Sequence, residues 1–515
     1  MLLLHALKFG KRPLRKHMPE QLRALVVILL LAGSVFALAR QPVSDVINSR
    51  DFVRRRNLWF ALTLLAFLSH NFWLFALVAG TLLLFVGQRE PSRLALFFFL
   101  LFLMPPVSAE IPGLGLINYL FAMSYPRMLA FALLLPAALL LMSRKDVTSV
   151  GSTWPDRLLL SYLMMVVLLE LRDSSMTNTL RQVLYVFIDV WLPYYVASRS
   201  MQRLADFKDA LAGFVLAAMV LAIIGMFELL RHWHLYDALV NALGLKWNYG
   251  SYLSRSDLLR ASASTGHSIA LGYVLAVAIG FYFFLSESIR NRLQRRLGGL
   301  LLLAGLTAPL SRGPWLGAAT LVATFILTGR SAMRRLTMLV VTGVVALPLI
   351  VALPGGAKII DLLPFIGKTE RENIDYRERL IDNALIVIER NPWFGSVDYR
   401  STPEMEAMRQ GQGIIDIVNT YIGVALEHGL VGLSLFVGFF LAVLWGIRKA
   451  MRQISDPDDE MHRLGRALFA TLIGILVIIA TVSSISIIPI VYWSVAGLGV
   501  AYAQMVRERL KSVNS

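Results

Sequence analysis

Cysteine is missing from the chain, and its absence removes two kinds of chemistry. Neither disulfide bonds nor thiolate metal sites are available, and the redox compartment cannot be inferred. The chain also has no phosphate-binding Walker loop, no dinucleotide-binding glycine fingerprint and no heptad repeat. His232 and His234 are close in sequence but lack further ligands at metal-binding spacing. We therefore expect no metal and no cofactor.

Charged residues are also scarce, and apolar residues take their place. The 515 residues are 16% charged and 57% hydrophobic, with a mean hydropathy of +0.64. Many apolar runs are long enough to cross a hydrocarbon core about 30 Å thick. The composition predicts an all-α fold class, a polytopic transmembrane helical bundle of about 12–14 spans.

The net charge of +17 does not indicate a nucleic-acid-binding protein, because the basic residues fall in short clusters between apolar runs. Clusters of this kind are typical of cytoplasmic loops. We assign the following intervals to the cytoplasm: 88–93, 144–157, 199–208, 290–296, 330–335, 448–466 and 507–511. The alternation then puts both long polar stretches, 231–265 and 355–416, on the outer side. In a bacterium this is the periplasmic face of the inner (cytoplasmic) membrane, where we expect the active site.

The predicted organisation has seven parts. They are a basic cytoplasmic N-terminus (1–21), N-terminal transmembrane helices (22–230), a periplasmic loop (231–265), central transmembrane helices (266–354), a large periplasmic loop (355–416), C-terminal transmembrane helices (417–505) and a cytoplasmic tail (506–515). The apolar run 24–39 has no small-residue cleavage pattern after it, so we interpret it as a retained segment.

One position breaks the alternation. Arg54, Arg55 and Arg56 look cytoplasmic, although a single apolar run separates them from the basic N-terminus. Either residues 24–39 turn back within the bilayer, or the charge rule fails there.

The polar stretch 355–416 is too long to be a mere connector, and it is the first candidate for the working part of the molecule. An amphipathic helix is predicted within it by apolar residues at helical spacing, namely Leu380, Ala384, Leu385 and Ile388. Pro392 ends the pattern. The charged residues of such a helix, Arg377 and Arg379 among them, usually form a solvated face.

Two further arginines lie at the outer ends of predicted spans. Arg260 precedes the span that starts near His267, and Arg312 lies in the short turn SRGPWLG. An arginine at such a place commonly only snorkels to the lipid headgroups. The alternative is that its planar guanidinium binds phosphate oxygens in an outer cleft.

Glu427 and His428 stand at the entrance to a membrane helix, in NTYIGVALEHGLVGL. A carboxylate at the membrane boundary is costly enough to indicate a partner or a task. The spacing does not say which, and on an ideal helix His428 points about 100° away from Glu427.

Four segments, in this order, resemble the O-antigen ligase and polysaccharide polymerase superfamily: RASASTGHSIALG, SRGPWLG, RERLIDNALIVIERNPWFGS and VNTYIGVALEHGLVGL. The resemblance implies a GT-C-like, metal-independent glycosyltransferase that passes a glycan from an undecaprenyl diphosphate carrier to an acceptor hydroxyl. The partners it implies are the undecaprenyl diphosphate-linked oligosaccharide, the growing polysaccharide acceptor, the lipid bilayer, a flippase and a chain-length regulator, and no nucleic acid.

The resemblance also implies roles for particular residues. It assigns Arg260 and Arg377 to the carrier diphosphate, with Arg312 as support. Arginine suits this role because it binds two oxygens at once and stays charged. The secondary candidates are His267, Arg379, Asn419 and His428, which lie in or beside the same motifs.

The chain departs from the family at the position of the base. Ligases that cap lipid A core carry a histidine, the proposed base, before the asparagine of the motif that here reads VNTYI. Val418 stands there instead and cannot accept a proton. Asp416 and Glu427 are the nearest carboxylates that could act as the base. This favours polymerisation of repeats into exopolysaccharide, capsule or O-antigen over ligation to lipid A core.

A transporter of a small anion such as bicarbonate is the alternative from another class, because relatives of the superfamily have been labelled bicarbonate carriers. Glu170, Asp189 and Glu228 look like isolated acids in or near the spans, and such residues often carry protons. The sequence contains no inverted repeat and no pair of matching broken helices, which many transporters have.

Overall fold

The computed structural model describes residues 18–113, 115, 117–172, 175–245, 254–255, 258–330, 332–338, 341, 371–410, 413–485 and 487–514. Within these ranges the chain is almost entirely helical. The helices of the first half are α1 (Glu20–Ser44), α2 (Ser49–Leu68), α3 (Phe72–Gln88), α4 (Arg93–Leu100), α5 (Tyr125–Leu129), α6 (Leu135–Ser143), α7 (Trp154–Glu170), α8 (Met176–Val186), α9 (Leu192–Ser200), α10 (Leu204–Arg231) and α11 (Asp237–Ala242).

The second half continues in the same way. Its helices are α12 (Ser268–Leu285), α13 (Arg292–Thr307), α14 (Arg312–Leu327), α15 (Arg371–Arg390), α16 (Pro403–Glu406), α17 (Thr420–Arg452), α18 (Glu460–Ile479) and α19 (Ile488–Asn514). Short 3₁₀ turns lie at Ala263–Thr265, Ser286–Ser288 and Tyr399–Ser401. Two small antiparallel hairpins complete the described part: β1 (Ser108–Pro112) with β2 (Tyr119–Ser124), and β3 (Ser254–Arg255) with β4 (Leu258–Leu259).

Two helices widen into a π turn next to a proline. Ala130–Leu134 joins α5 to α6, and Phe187–Trp191 joins α8 to α9. Pro136 and Pro193 lie two residues after these turns. Proline cannot donate a backbone hydrogen bond, and a π turn lets the chain continue as one helix past it.

Seven helices in the described part are long and apolar enough to cross a membrane. They are Glu20–Ser44, Tyr125–Ser143, Leu204–Arg231, Ser268–Ser288, Thr420–Arg452, Glu460–Ile479 and Ile488–Ser512. This confirms the predicted all-α polytopic membrane fold. The total of about 12–14 spans stays a prediction.

Close helix contacts hold the bundle together where glycine is present. A Cβ at Gly317 of α14 would lie 2.1 Å from Ile478 Cγ1 of α18, and one at Gly474 would lie 2.9 Å from the Gly317 carbonyl oxygen. In a membrane, association of this kind depends on close packing, because lipid is as apolar as the side chains.

Ion pairs join the loops at one end of the bundle, which we call the basic face. They are Arg55–Asp209 (2.6 Å), Lys208–Glu460 (2.6 Å), Arg463–Glu287 (3.1 Å), Arg330–Asp458 (2.9 Å) and Arg290–Asp45 (3.7 Å). Intervals that the sequence grouped together as basic therefore do lie at one end of the molecule.

The arginines that broke the alternation also lie on the basic face. Arg54 and Arg55 both bind the buried carboxylate of Glu90, at 2.6 and 2.5 Å. Helix α1 runs without interruption from Glu20 to Ser44, so the idea that it turns back within the bilayer is wrong.

The start of α1 lies at the opposite end, which we call the site face. There the Trp233 indole N–H donates to the Glu20 carboxylate (3.1 Å). Asp45, just past the other end of α1, accepts a hydrogen bond from the Arg290 backbone N–H (3.2 Å). Helix α1 therefore crosses the bundle once, from the site face to the basic face. The prediction that residues 1–21 lie on the same side as the 290–296 loop is wrong for Glu20, which lies on the opposite side. Residues 1–17 lie outside the described ranges.

Two of the acids that looked isolated have close partners. Asp189 accepts hydrogen bonds from Arg127 Nη2 (2.8 Å) and Nε (3.1 Å). Glu228 is fully buried and accepts hydrogen bonds from three backbone N–H groups. The description of these two acids as isolated is therefore wrong, because most of their partners lie 34 to 62 positions away in the sequence.

We predict that Arg55→Ala destabilises the protein by about 3 kcal/mol. The loss is at the low end for a broken buried pair because Arg54 still binds Glu90. Thermal unfolding of the purified protein in detergent measures the change. As a control, Arg144→Ala breaks an exposed pair with Asp146 and should leave the midpoint unchanged. Equal effects of the two substitutions would contradict the buried network.

Candidate functional site

The buried carboxylate of Glu228 fixes the loop that carries Arg260. Its Oε2 accepts hydrogen bonds from the backbone N–H groups of Ser262 (3.0 Å) and Ala263 (2.8 Å), and its Oε1 accepts one from Leu235 (3.1 Å). A buried carboxylate needs such donors to replace its hydration. The end of α10 thus holds residues 260–263 at the site face.

The same loop is fastened to the turn between α13 and α14. Arg260 Nε donates to the Pro309 carbonyl (3.3 Å), and the Ala261 N–H donates to the Ala308 carbonyl (3.2 Å). Arg312 opens α14 three residues after Pro309 and is half-buried. The structure therefore brings Arg260 close to the turn from which Arg312 emerges.

His267 caps the start of α12, and its environment fixes its protonation. Its Nδ1 accepts a hydrogen bond from the Ile269 backbone N–H (3.2 Å). Burial, and then the positive charge of Arg260, lower the pKa of His267 to about 4. The ring is thus neutral near pH 7, with its proton on Nε2, where it is a donor and not a base.

The segment after α18 connects this turn to the region of Asp416. At Gly313 an added Cβ would lie 2.4 Å from Thr481 Oγ1, so α14 begins directly against this segment. Two residues further on, Ser483 Oγ donates to Asp416 Oδ1 (2.5 Å). Thr420 Oγ1 donates to the Val482 carbonyl (3.0 Å). One short segment therefore contacts both the arginine turn and the start of α17.

Asn419 has a structural role in this arrangement. Its Oδ1 accepts hydrogen bonds from the backbone N–H groups of Tyr421 (2.9 Å) and Ile422 (3.2 Å), so it is the N-cap of α17. Val418, beside it, packs against an apolar cluster that lies under α15.

Helix α15 contacts Asp416 through the residue before Arg377. The Tyr376 hydroxyl donates to the Asp416 backbone carbonyl (3.0 Å). The side chains of Arg377 and Arg379 are both exposed, but two helical residues lie about 160° apart around the axis. The two arginines therefore cannot face the same cleft, and Arg379 donates to the Asp375 carbonyl of its own helix (3.4 Å).

The apolar face of α15 was predicted correctly in part. Leu380 and Ala384 are buried, together with Val387, in a cluster with Tyr399 and Met405. The prediction is wrong for Leu385, which is 51% exposed. The periodicity identified the apolar residues, but only those facing 399–417 have a partner within the protein.

Glu427 and His428 lie apart from Asp416. The helical residues between Thr420 and Glu427 span about 10 Å. The Glu427 side chain is exposed and lies near Tyr399 and Arg400, where burial, and then the Glu427 charge, raise the pKa of the Tyr399 hydroxyl. The Glu427 backbone carbonyl accepts a hydrogen bond from Arg172 Nη2 (3.3 Å).

His428 is buried in a different direction. Its ring packs edge-on against Tyr162 at 6.0 Å between centroids, inside the bundle. Among the residues that the structure describes, no group of three His, Asp or Glu side chains could hold a metal ion.

Contacts between neighbouring segments therefore connect Arg260, Arg312, Asp416 and the helix of Arg377. We call this whole set the arginine cluster. Glu427 belongs to a second group with Tyr399 and Arg400. Sequence reasoning missed the residues that position these groups: Glu228 as an anchor, Tyr376 and Ser483. Their partners lie 34 to 67 positions away in the chain, so no local spacing could have found them.

Comparison with known proteins agrees with this part of the chain. Residues 297–437 match a family model described as O-antigen ligase. The match begins in α13, ends in α17 and includes Arg312, Arg377 and Asp416, whereas Arg260 lies before it. A comparison with curated proteins gives no match.

We predict that His267 makes stability depend on pH. The native ring stays neutral down to about pH 4, whereas the unfolded ring takes up a proton below about 6.5. Stability should therefore fall as the pH drops from 6.5 towards 4. In His267→Asn, which keeps an N-cap, the thermal midpoint should fall less between pH 7 and pH 5. Substitution of the exposed His70 by Asn is the control and should retain the wild-type difference. An unchanged pH dependence in His267→Asn would contradict the assignment.

Proposed function

We propose that this chain, which belongs to the O-antigen ligase family through its residues 297–437, is a membrane glycosyltransferase that polymerises oligosaccharide repeats carried on a polyprenyl diphosphate. The observation that carries the proposal is the arginine cluster. Contacts join the loop of Arg260 to the turn before Arg312, and the helix of Arg377 to the Asp416 segment, which supports a site where these groups act together. A donor with a lipid tail and a diphosphate head suits such a site.

The reaction requires one bond to form and one to break. The acceptor hydroxyl oxygen attacks the anomeric carbon of the donor sugar, and the bond from that carbon to the diphosphate oxygen breaks. The electron pair leaves with the lipid diphosphate, where Arg260 and Arg377 stabilise the growing negative charge, with Arg312 in support. The acceptor proton passes to a carboxylate.

Asp416 is better placed than Glu427 to take that proton. Ser483 donates to its Oδ1, and among the described residues its Oδ2 accepts no hydrogen bond. Oδ2 is therefore the oxygen we assign to the acceptor hydroxyl. Glu427 lies with Arg400 at the far end of the short helix that begins at Thr420.

Ligation of the glycan to lipid A core is the second candidate, and the family description favours it. Against it, Val418 occupies the position where the resemblance implies a histidine base. Its side chain packs against the cluster under α15, which supports a structural role there. Polymerisation in the periplasm of a bacterial inner membrane is accordingly our first choice.

Anion transport has less support. The transporter hypothesis relied on acids within the spans that could carry protons. The ion pair of Asp189 with Arg127 and the three backbone donors to Glu228 give both acids structural roles.

We predict that Arg377→Ala lowers glycan transfer by about 100-fold, as expected for loss of a group that stabilises transition-state charge. Arg379→Ala is the matched control, because it removes an equally exposed arginine two residues away on the other side of the helix. Glycan length in cells measures the effect: a polymerase defect removes long chains and retains single repeats. Immunoblots of membranes verify that both variants are present.

Arg260→Ala should have the same effect as Arg377→Ala. Long polymer in cells that lack both arginines would overturn the proposed function. Free polymer that is not attached to lipid A would instead identify the protein as a ligase.

We predict that Asp416→Asn lowers transfer by about 100-fold or more, because the amide retains an oxygen for Ser483 but cannot accept the proton. Glu427→Gln should retain transfer within a few-fold. The measurement is turnover of a lipid-linked donor by the purified protein. The opposite ranking of the two variants would make Glu427 the base.

A further inference from the structure

Helix α15 has an exposed apolar flank beside its buried face. Ile381 lies about 100° around the axis from buried Leu380, and Leu385 lies on the same side about one turn later. Both side chains are exposed, at 42% and 51%. The flank on the other side of the buried face carries the polar Arg379, Asn383 and Arg390 together with one exposed apolar residue, Ile386. The flank of Ile381 and Leu385 is therefore the more apolar of the two at these positions.

Further exposed apolar side chains follow in the chain just after α15. Trp393 and Phe394 are 66% and 52% exposed, although both are large and apolar. Isolated exposed apolar residues are common on proteins, but adjacent ones that continue a helix flank form a patch that calls for an explanation.

The position of this patch indicates what covers it. The Leu430 N–H donates to the Pro392 carbonyl (2.7 Å), and the Val431 N–H donates to the Trp393 carbonyl (3.2 Å). These bonds lie at the kink of α17, where its membrane-spanning part begins. On that part the exposed Leu430, Leu441 and Trp445 share one side of a helix that is long and apolar enough to cross a membrane. The patch thus adjoins the exposed apolar side of a membrane helix, which is the side that lipid would cover.

A second contact places the patch at the same level. Arg172 Nη1 donates to the carbonyls of Phe394 (3.1 Å) and Gly395 (3.0 Å). Arg172 follows the end of α7, whose last turn exposes Leu168 and Leu171. The kink of α17 and the residue that follows the end of α7 therefore together hold residues 392–395.

From these contacts we propose that Ile381, Leu385, Trp393, Phe394 and Leu430 form a surface that lies in the bilayer, at the boundary between headgroups and acyl chains on the site face. Tryptophan favours this depth, and an amphipathic helix binds there through its apolar side. This inference does not depend on the reaction that the protein catalyses.

The surface has a consequence that does rest on the proposed function. Arg377 lies one turn before Ile381 on the same flank, about 40° from it. With Ile381 in the acyl boundary, the Arg377 guanidinium is held at headgroup depth, which is the depth of the diphosphate of a lipid-linked donor.

The natural absence of cysteine allows a direct test, because each single-cysteine variant carries one thiol. The matched pair is Leu385→Cys and Ile386→Cys: adjacent, apolar and similarly exposed (51% and 43%), but about 100° apart around the helix. The full chain is labelled with a nitroxide and reconstituted in phosphatidylethanolamine–phosphatidylglycerol vesicles. Collision of the label with oxygen, which partitions into lipid, is compared with collision with a water-soluble nickel chelate.

The label at 385 should collide mainly with oxygen, and the label at 386 mainly with the nickel chelate. Trp393→Cys should behave like Leu385→Cys. Equal exposure to the chelate at 385 and 386 would overturn the proposal. Dipolar coupling between labels at 385 in different copies would also overturn it, since a second protein copy would then cover the surface. Either failure leaves the proposed transferase function intact, because that function is tested by glycan length.

Discussion

The geometry of the candidate site depends on the buried carboxylate of Glu228. It lies at the end of a membrane helix and accepts N–H groups from two loops, one before α11 and one before α12. A carboxylate removed from water is stable only when hydrogen bonds replace its hydration, so both loops must keep their places for the helix end to remain folded. Arg260, two residues before Ser262, is positioned as a result. The acid holds the arginine's loop without contacting the arginine.

Gly429 gives the other side of the site its shape. Its φ of 69° and ψ of −171° end the short helix that begins at Thr420. The backbone N–H groups of the next two residues then donate to the carbonyls of Pro392 and Trp393. A Cβ here would lie 2.3 Å from the Trp393 backbone, so only glycine fits both the conformation and the space. The polar stretch 355–416 is thereby joined to the membrane-spanning part of α17. The short helix that carries Glu427 is separated from that part by the kink.

Properties that are local in sequence were predictable. Hydropathy identified the membrane helices, and helical spacing identified α15, because both signals lie within a few turns of chain. Partners could not be predicted, since Ser483 and Asp416, or Arg127 and Asp189, are more than sixty residues apart. The same limit explains Leu385. Its apolar character was clear, but the sequence does not say whether protein or lipid covers an apolar residue.

A site that uses several arginines has an energetic cost. Like charges repel more strongly at a membrane boundary than in water, because the effective dielectric constant is lower there. The structure fixes the segments that carry these arginines through contacts with neighbouring segments. The Pro309 carbonyl accepts from Arg260, Glu228 binds N–H groups, and Ser483 and Tyr376 hold the Asp416 segment. A scaffold of this kind holds the loop of Arg260 and the Asp416 segment in place. Under the proposed function, the dianion that relieves this repulsion is the diphosphate of the lipid-linked donor.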